Sequence, residues 1–222
     1  NDTGSETDGD VEVDGGTTNL ILGASTIDGD LTLRSGGTIT DDGIATVRGT
    51  LTATTDQSNK IITLDELAVT GAFTLAPDGT GAVTIVNAAG LNLAASTMGG
   101  TFSGTATTGN IIQGAAVTVT GTSSFTTSAT NGVITLSNTS NAFASAVTLS
   151  TTGAAAHAII DNGTTTLDIA ASTVGGDLTL TSGATAGITD SGNVTVAGNF
   201  VATTDANSGV INLGTLAVDG TM

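Results

Sequence analysis

The sequence lacks three residue types on which many folds of its size depend. Among 222 residues there is no Cys, Trp or Tyr, and aromatic residues make up 2% of the chain. No disulfide can therefore close this chain, and large aromatic side chains cannot fill its core. Any core must be thin and built from Val, Ile, Leu and Ala.

Positive charge and long apolar runs are scarce as well. Arg34, Arg48 and Lys60 face 20 acidic residues, which gives a formal net charge of −17. Three cations cannot neutralise a track of phosphates, so nucleic-acid binding is excluded, and an anionic membrane surface would repel the chain. No stretch of about 18 apolar residues is available to span a bilayer. Because the aliphatic residues are plentiful and patterned, the composition predicts a folded chain rather than an acidic disordered one.

Repetition is what the sequence has in abundance. "LILGASTIDG" (20–29) returns as "LNLAASTMGG" (91–100) and as "LDIAASTVGG" (167–176). Each copy is followed by a V-x-V or A-x-V triplet, a glycine, and then an I-x-x-L or V-x-x-L block. Internal self-similarity over such a length is typical of a repeat architecture.

Three serines mark the phase of the repeat. Ser25 and Ser96 lie about 71 residues apart, and Ser96 and Ser172 lie about 76 residues apart. From Ser172 through the end of the chain and round to Ser25 is a further step of about 75 residues. The chain thus spans one whole period of three modules of about 71–77 residues. We expect one continuous domain over 1–222, with modules at approximately 11–85, 86–160 and 161–222 and with 1–10 belonging to a neighbour or a continuation.

Within a module, apolar and polar residues alternate in triplets such as "LTL" (31–33) and "VTI" (83–85). This two-residue period is typical of strands with one buried face, and turn-forming residues separate the triplets. Antiparallel sandwich domains usually run near 100 residues and bury a large aromatic residue, so a parallel β-helix is favoured. The sequence therefore predicts an all-β, right-handed parallel β-helix (β-solenoid) of about nine coils of about 24 residues, a rod about 43 Å long.

The run "GGDLTLTSGATAGITDSGNVTVAGNF" (175–200) and its partner "DGDLTLRSGGTITDDGIATVRGTL" (28–51) resemble repeats of filamentous haemagglutinin and other large bacterial β-strand-repeat surface proteins. The likeness lies in composition and rhythm over most of the chain. It implies an exported, elongated, right-handed β-helix that presents or holds something at a cell surface. The family's repeats are often shorter, and its secretion domain is not visible.

Some β-helices are polysaccharide-active enzymes, and adjacent Asp41 and Asp42 resemble the paired carboxylates of polygalacturonase-like enzymes. A glycosidase needs two carboxylates across the scissile bond, and aromatic residues usually seat the sugar. Asp190 and Ser191 occupy the same positions in the third module, which indicates a polar corner. His157 has no second His or Cys to form a metal site or a catalytic triad. We predict no catalytic, cofactor or metal residues and no enzyme.

The acidic start of the chain is a candidate for binding calcium. It carries alternating carboxylates that could serve as oxygen ligands, and these belong to Glu6, Asp8, Asp10, Glu12 and Asp14. The spacing matches neither an EF-hand nor a G-G-x-G-x-D repeat. A solvated acidic segment is the favoured alternative.

Two further motifs carry little weight. A regular T-x-T array on a β-helix could match ice, but equivalent positions hold Arg48, Ala197 or Ser103, so we expect a broken array. Sequons at Asn138, Asn162 and Asn193 are about as frequent as this composition yields by chance.

The ends of a β-helix are open sheet edges, and nothing in the sequence looks like a cap. We expect a non-enzymatic structural rod, outside the cell or at its surface, whose partner is a second copy of itself, stacked head to tail into a filament. The alternative is a stalk segment of a secreted adhesin, and a polysaccharide-active enzyme ranks third.

Overall fold

A computed structural model of the chain describes residues 9–222. In this range it contains 28 strands and no helix, and the strand pairs are parallel. The expected right-handed parallel β-solenoid is confirmed. None of the described residues form a helix of the length and hydropathy needed to cross a membrane.

The strands form three sheets. Sheet A has ten strands: β1 (Val11–Asp14), β4 (Leu31–Ser35), β7 (Leu51–Thr55), β9 (Ala72–Ala76), β11 (Leu91–Leu93), β14 (Ile111–Gln113), β17 (Ile134–Leu136), β20 (Ala158–Asp161), β23 (Leu178–Ser182) and β26 (Phe200–Thr204). The longest row of sheet B is β2 (Leu20–Leu22), β5 (Ile39–Asp41), β8 (Ile62–Val69), β10 (Val83–Asn87), β13 (Phe102–Ala106), β16 (Ser123–Thr130), β19 (Val147–Thr152), β21 (Leu167–Ile169), β24 (Ile188–Asp190) and β27 (Ile211–Asn212). Sheet B also includes β3 (Ser25–Ile27), β6 (Ala45–Val47), β22 (Ser172–Val174), β25 (Val194–Val196) and β28 (Leu216–Val218). Sheet C is β12 (Ser96–Met98), β15 (Val117–Val119) and β18 (Ala142–Phe143).

The solenoid has about ten coils, one more than the sequence predicts. Coil length varies along the rod, because Val11 pairs with Leu31 in the first coils whereas Ile134 pairs with Ala158 further on. These pairings correspond to coils of about 20 and about 24 residues, so the expected length belongs to the longer coils rather than to the average one. At about 4.8 Å per coil, the rod is about 48 Å long.

Alternation of side chains builds the core, as the triplets predict. In β4, Leu31, Leu33 and Ser35 are buried, whereas Thr32 and Arg34 point outward. Stacking repeats this pattern from coil to coil, so the inward residues merge into one continuous apolar cluster along the rod.

In most coils the two sides differ in construction. Side A carries sheets A and C, and side B carries sheet B. One side is split into two short strands, such as β5 and β6, and the other is straight, with one longer strand, such as β7. A half-coil is the part of one coil that lies on one side.

The module is seven half-coils long. The first module runs through β2/β3, β4, β5/β6, β7, β8, β9 and β10, and the second repeats this order from β11/β12 to β20. Because seven is odd, homologous strands change sides. The split half-coils lie on side B in the first module, on side A in the second and on side B again in the third.

Candidate functional site

The adjacent carboxylates of Asp41 and Asp42, for which the sequence predicts a polar corner, have different surroundings. Asp41 ends β5, and its two carboxylate oxygens accept hydrogen bonds from the backbone N–H groups of Asp65 (3.1 Å) and Glu66 (3.0 Å) in the next coil. Asp42 is exposed beside it. Asp41 therefore supports the exposed bend in β8, where the split side passes from its first short segment to its second.

The third module repeats this support with Asp190. Its carboxylate accepts hydrogen bonds from the backbone N–H groups of Gly214 (2.8 Å) and Thr215 (2.7 Å) and from the Thr215 hydroxyl (2.7 Å). In the middle module Gln113 takes the position. Its side chain exchanges hydrogen bonds with buried Asn141 at 2.8 and 2.9 Å. The recurring "ITD" motif thus connects one coil to the next.

The two aspartates differ in acidity. Burial raises the pKa of Asp41, and the nearby Asp65 carboxylate raises it further. The backbone hydrogen bonds from Glu66 and Asp65 lower the pKa, but they do not outweigh these two effects. At Asp190 burial opposes ionisation too, but the hydrogen bonds from Thr215 and Gly214 outweigh it and lower the pKa. Deeper burial and a second carboxylate at Asp41, and a hydroxyl donor at the more exposed Asp190, account for the contrast in pKa.

His157 belongs to a ladder at the corner that precedes the strands of sheet A. Its Nδ1 accepts a hydrogen bond from the Asp177 N–H at 2.8 Å, and the Asp177 carboxylate accepts one from the Asn199 N–H at 2.7 Å. Asp10 and Asp30 make the same contact in the first coils, with the N–H groups of the residues one coil further on.

The acidic start is partly described. Glu6 and Asp8 lie outside the described residues. Asp10 accepts a hydrogen bond from the Asp30 N–H at 2.8 Å, and Asp14 accepts one from the Gly16 N–H at 2.7 Å. Over residues 9–222 there is no group of three or more His or acidic side chains placed to hold a metal ion. Calcium binding at this segment stays a prediction.

Sequence reasoning missed the buried amides. Asn87, Asn141 and Asn162 are at most 2% exposed, and their side chains bond backbone groups of neighbouring coils. Asn162 also belongs to a sequon, but its amide is buried and fully engaged, so this position is closed to a glycan. Sequences such as "VNAAG" and "DNGTT" look like ordinary turns, so only the stacking reveals these contacts.

The straight half-coils around the middle module carry an ordered row of hydroxyls on side B. Two outward columns cross four coils, at Thr84 and Val86, Ser103 and Thr105, Ser124 and Thr126, and Thr148 and Ser150. Seven of these eight positions carry a hydroxyl and none carries a charge. Arg48 and Ala197 lie at corners after β6 and β25, outside the columns. The T-x-T array is therefore less broken than the sequence suggests.

The last coil leaves part of its apolar surface open to solvent. Phe200 is buried, but Ala202, Leu213 and Leu216 are only partly covered, and Met222 is 87% exposed. Together with Val201 and Ile211 these residues line an open apolar groove of about 470 Å³. In the preceding coils the inward residues that stack against Ala202 and Leu216, Leu180 and Val194, are buried.

The chain matches a family described as repeats of unknown function (DUF5649), over residues 8–76, 80–150 and 154–221. These three matches cover most of the sequence, and the chain belongs to this family. No curated protein and no solved structure matches it. The family confirms a threefold repeat and leaves its role open, and the likeness to haemagglutinin-type repeats stays a resemblance.

Proposed function

We propose that the chain is a non-enzymatic structural rod, exported to the cell surface or beyond it. One observation carries this proposal: polar side chains that could suggest chemistry are engaged in holding coil to coil. Asp41 and Asp190 support the split half-coils, and His157 belongs to the corner ladder. The resemblance to haemagglutinin-type surface repeats supports the location.

We propose further that the rod assembles end to end. The open groove beside Phe200 and Met222 displays apolar side chains, and β26 and β28 each pair with a strand on one edge only within the described residues. A second copy of the chain would cover both by strand addition. Such a contact does not close on itself, so it produces a filament.

Electron microscopy of the purified chain tests the assembly. Filaments with an axial repeat of about 48 Å would support stacking of ten-coil units. Replacing Met222 by Lys places a charge in the groove and should shorten the filaments, whereas Ile112→Lys changes an exposed side chain on the lateral surface of the middle module and should not. Short monodisperse rods from the unaltered chain would overturn stacking and favour a stalk segment of a secreted adhesin.

Activity measurements test the non-enzymatic assignment. A panel of acidic and neutral polysaccharides incubated with the protein should remain uncleaved. Cleavage that is lost in Asp41→Asn would restore the polysaccharide-active enzyme. Fractionation of cells that express the full-length gene tests the location, and a protein confined to the cytosol would overturn the proposed export.

A second candidate function rests on the hydroxyl columns of side B. Coils repeat at about 4.8 Å and alternate residues along a strand at about 6.6 Å, so the columns form a regular lattice of neutral hydroxyls. We propose that this lattice binds ordered water at an ice surface. Inhibition of ice recrystallisation should be lost in Ser124→Lys and kept in Thr52→Lys on side A. An inactive unaltered protein would overturn this function.

A further inference from the structure

The change of sides between modules creates a stacking mismatch. On side B, the straight strand β10 stacks on β8. The two segments of β8 continue the split strand pairs of the preceding coils, such as β5 and β6. On side A, split β11 and β12 then cover straight β9. A split half-coil and a straight one differ in the path of the backbone. Some backbone groups at this boundary therefore meet no strand in the next coil.

On side B, where the split half-coils of the first module end, the side chain of a buried asparagine bonds the backbone groups that no strand of the next coil reaches. The Asn87 Oδ1 accepts a hydrogen bond from the Val69 N–H at 2.8 Å, and its Nδ2 donates to the Val69 carbonyl at 2.9 Å. The side chain is 0% exposed. A primary amide carries the same donor and acceptor as a peptide group, so it replaces the strand that β10 does not provide.

The second boundary repeats this arrangement on side A. The Phe143 N–H donates to the Asn162 Oδ1 at 2.7 Å, and the Asn162 Nδ2 donates to the Phe143 carbonyl at 3.0 Å. Asn162 is also 0% exposed. Val69 and Phe143 each lie at the end of the third split half-coil of their module. Each asparagine therefore bonds the last member of a stack of three split half-coils.

A serine opens the next ladder on the other side. Ser96 Oγ accepts a hydrogen bond from the Leu75 N–H at 3.0 Å and donates to the Ala94 carbonyl at 3.1 Å. Ser172 accepts from the Leu149 N–H at 2.9 Å and donates to the Ala170 carbonyl at 2.8 Å. This serine is the one in the repeated "AST" motif. Between the two short strands the backbone bends away from the preceding coil. There the serine hydroxyl, instead of a backbone carbonyl, accepts the hydrogen bond from the N–H group of that coil.

We infer that each asparagine and the serine that follows it are the residues that move the split half-coils from one side of the rod to the other. Asn87 and Ser96 act at the first boundary, and Asn162 and Ser172 act at the second. One additional straight half-coil, β10 or β20, makes the number of half-coils per module odd. Straight faces therefore alternate between sides A, B and A, and the uncharged hydroxyl columns face away from the straight face of the first module.

Pulsed electron resonance between two spin labels tests the alternation, because the chain has no native cysteine to interfere. Labels at Thr52→Cys and Ser124→Cys lie on opposite sides of the rod. Deleting residues 77–87 removes β10 and Asn87 and should bring both labels to one side, which shortens their distance by about 10 Å. Deleting 31–50 removes one whole coil before both labels and should leave the distance unchanged. An unchanged distance after the half-coil deletion would overturn the inference.

Amide hydrogen exchange tests the residues themselves and decides the matter if the deletion variant does not fold. Asn87→Ala should speed exchange of the Val69 amide at least tenfold and leave the Phe143 amide unchanged. Asn162→Ala should give the reverse pattern. Ser96→Ala should speed exchange of the Leu75 amide and spare the Leu149 amide. Equal effects at both boundaries, or none at either, would reduce these residues to ordinary core positions and overturn the inference.

Discussion

Phe125 in the middle module provides a sharp test of how the core is packed. Its side chain is fully buried, and its ring centroid lies 5.4 Å from that of Phe102 and 5.5 Å from that of Phe143. Truncating a buried Phe to Ala costs about 3–5 kcal/mol, part of which reflects such aromatic pairs. We expect Phe125→Ala to lower the free energy of unfolding by about 4 kcal/mol, measured by urea titration.

Gly104 lies directly below Phe125 in the same inward column. A Cβ added to Gly104 would lie 2.8 Å from atoms of both Phe102 and Leu91. Gly104→Leu alone should therefore destabilise by overpacking, by about 1–3 kcal/mol. The absence of a side chain at Gly104 thus provides the space that the neighbouring rings occupy.

The flanking modules solve the same packing problem with the sizes reversed. Leu33 lies below Ala53 in the first module, and Leu180 lies below Ala202 in the third. The double variant Gly104→Leu, Phe125→Ala should therefore lose less free energy of unfolding than the sum of the two single variants' losses. We expect the difference to be at least about 1 kcal/mol. The exposed substitution Ile112→Ala serves as a control with little effect. Losses that add to within about 0.5 kcal/mol would refute compensation within this column.

The remaining predictions concern acidity and close stacking. Because the pKa of Asp41 is raised, this residue holds its proton more tightly in the native state than in the unfolded chain. The free energy of unfolding should therefore fall as pH rises just above the ordinary value of 3.8. Asp41→Asn should remove this pH dependence. The lowered pKa of Asp190 predicts the opposite: its contribution should be lost as pH falls below 3.8, and urea titrations across the acidic range should show both slopes. Gly121→Val should destabilise strongly in thermal melts because its Cβ would lie 2.5 Å from the Gly100 carbonyl, whereas Gly114→Ala has space and should be neutral.

The strands and the core follow from local patterns in the sequence. An apolar residue at every second position gives inward Leu31 and Leu33 in β4, and the same spacing gives inward Leu178 and Leu180 in β23. Because stacking in parallel register repeats this alternation from coil to coil, the solenoid class can be predicted without any long-range information. The threefold period is equally visible in the sequence, and the family match confirms it.

The division of a module into half-coils could not be predicted, because nothing local distinguishes a half-coil from a full one. A split pair such as β5 and β6 and a straight strand such as β7 show similar triplets. Three equal coils per module is the simplest division, but the module holds seven half-coils. The role of Asn87 was hidden for a related reason, since Val69 lies 18 residues earlier in the chain.

The motif that recurs as "AST" has a physical explanation. It stands where a straight strand is succeeded by a split pair, and its serine makes that succession possible without an unpaired backbone N–H at Leu75 or Leu149. An odd number of half-coils requires such a device once per module, because each module must begin on the side that the previous one left straight. On this inference, the repeat in this chain is a unit of switching as much as a unit of length. A rod extended by whole modules keeps presenting its straight faces on alternate sides, whereas extension by whole coils would keep them on one side.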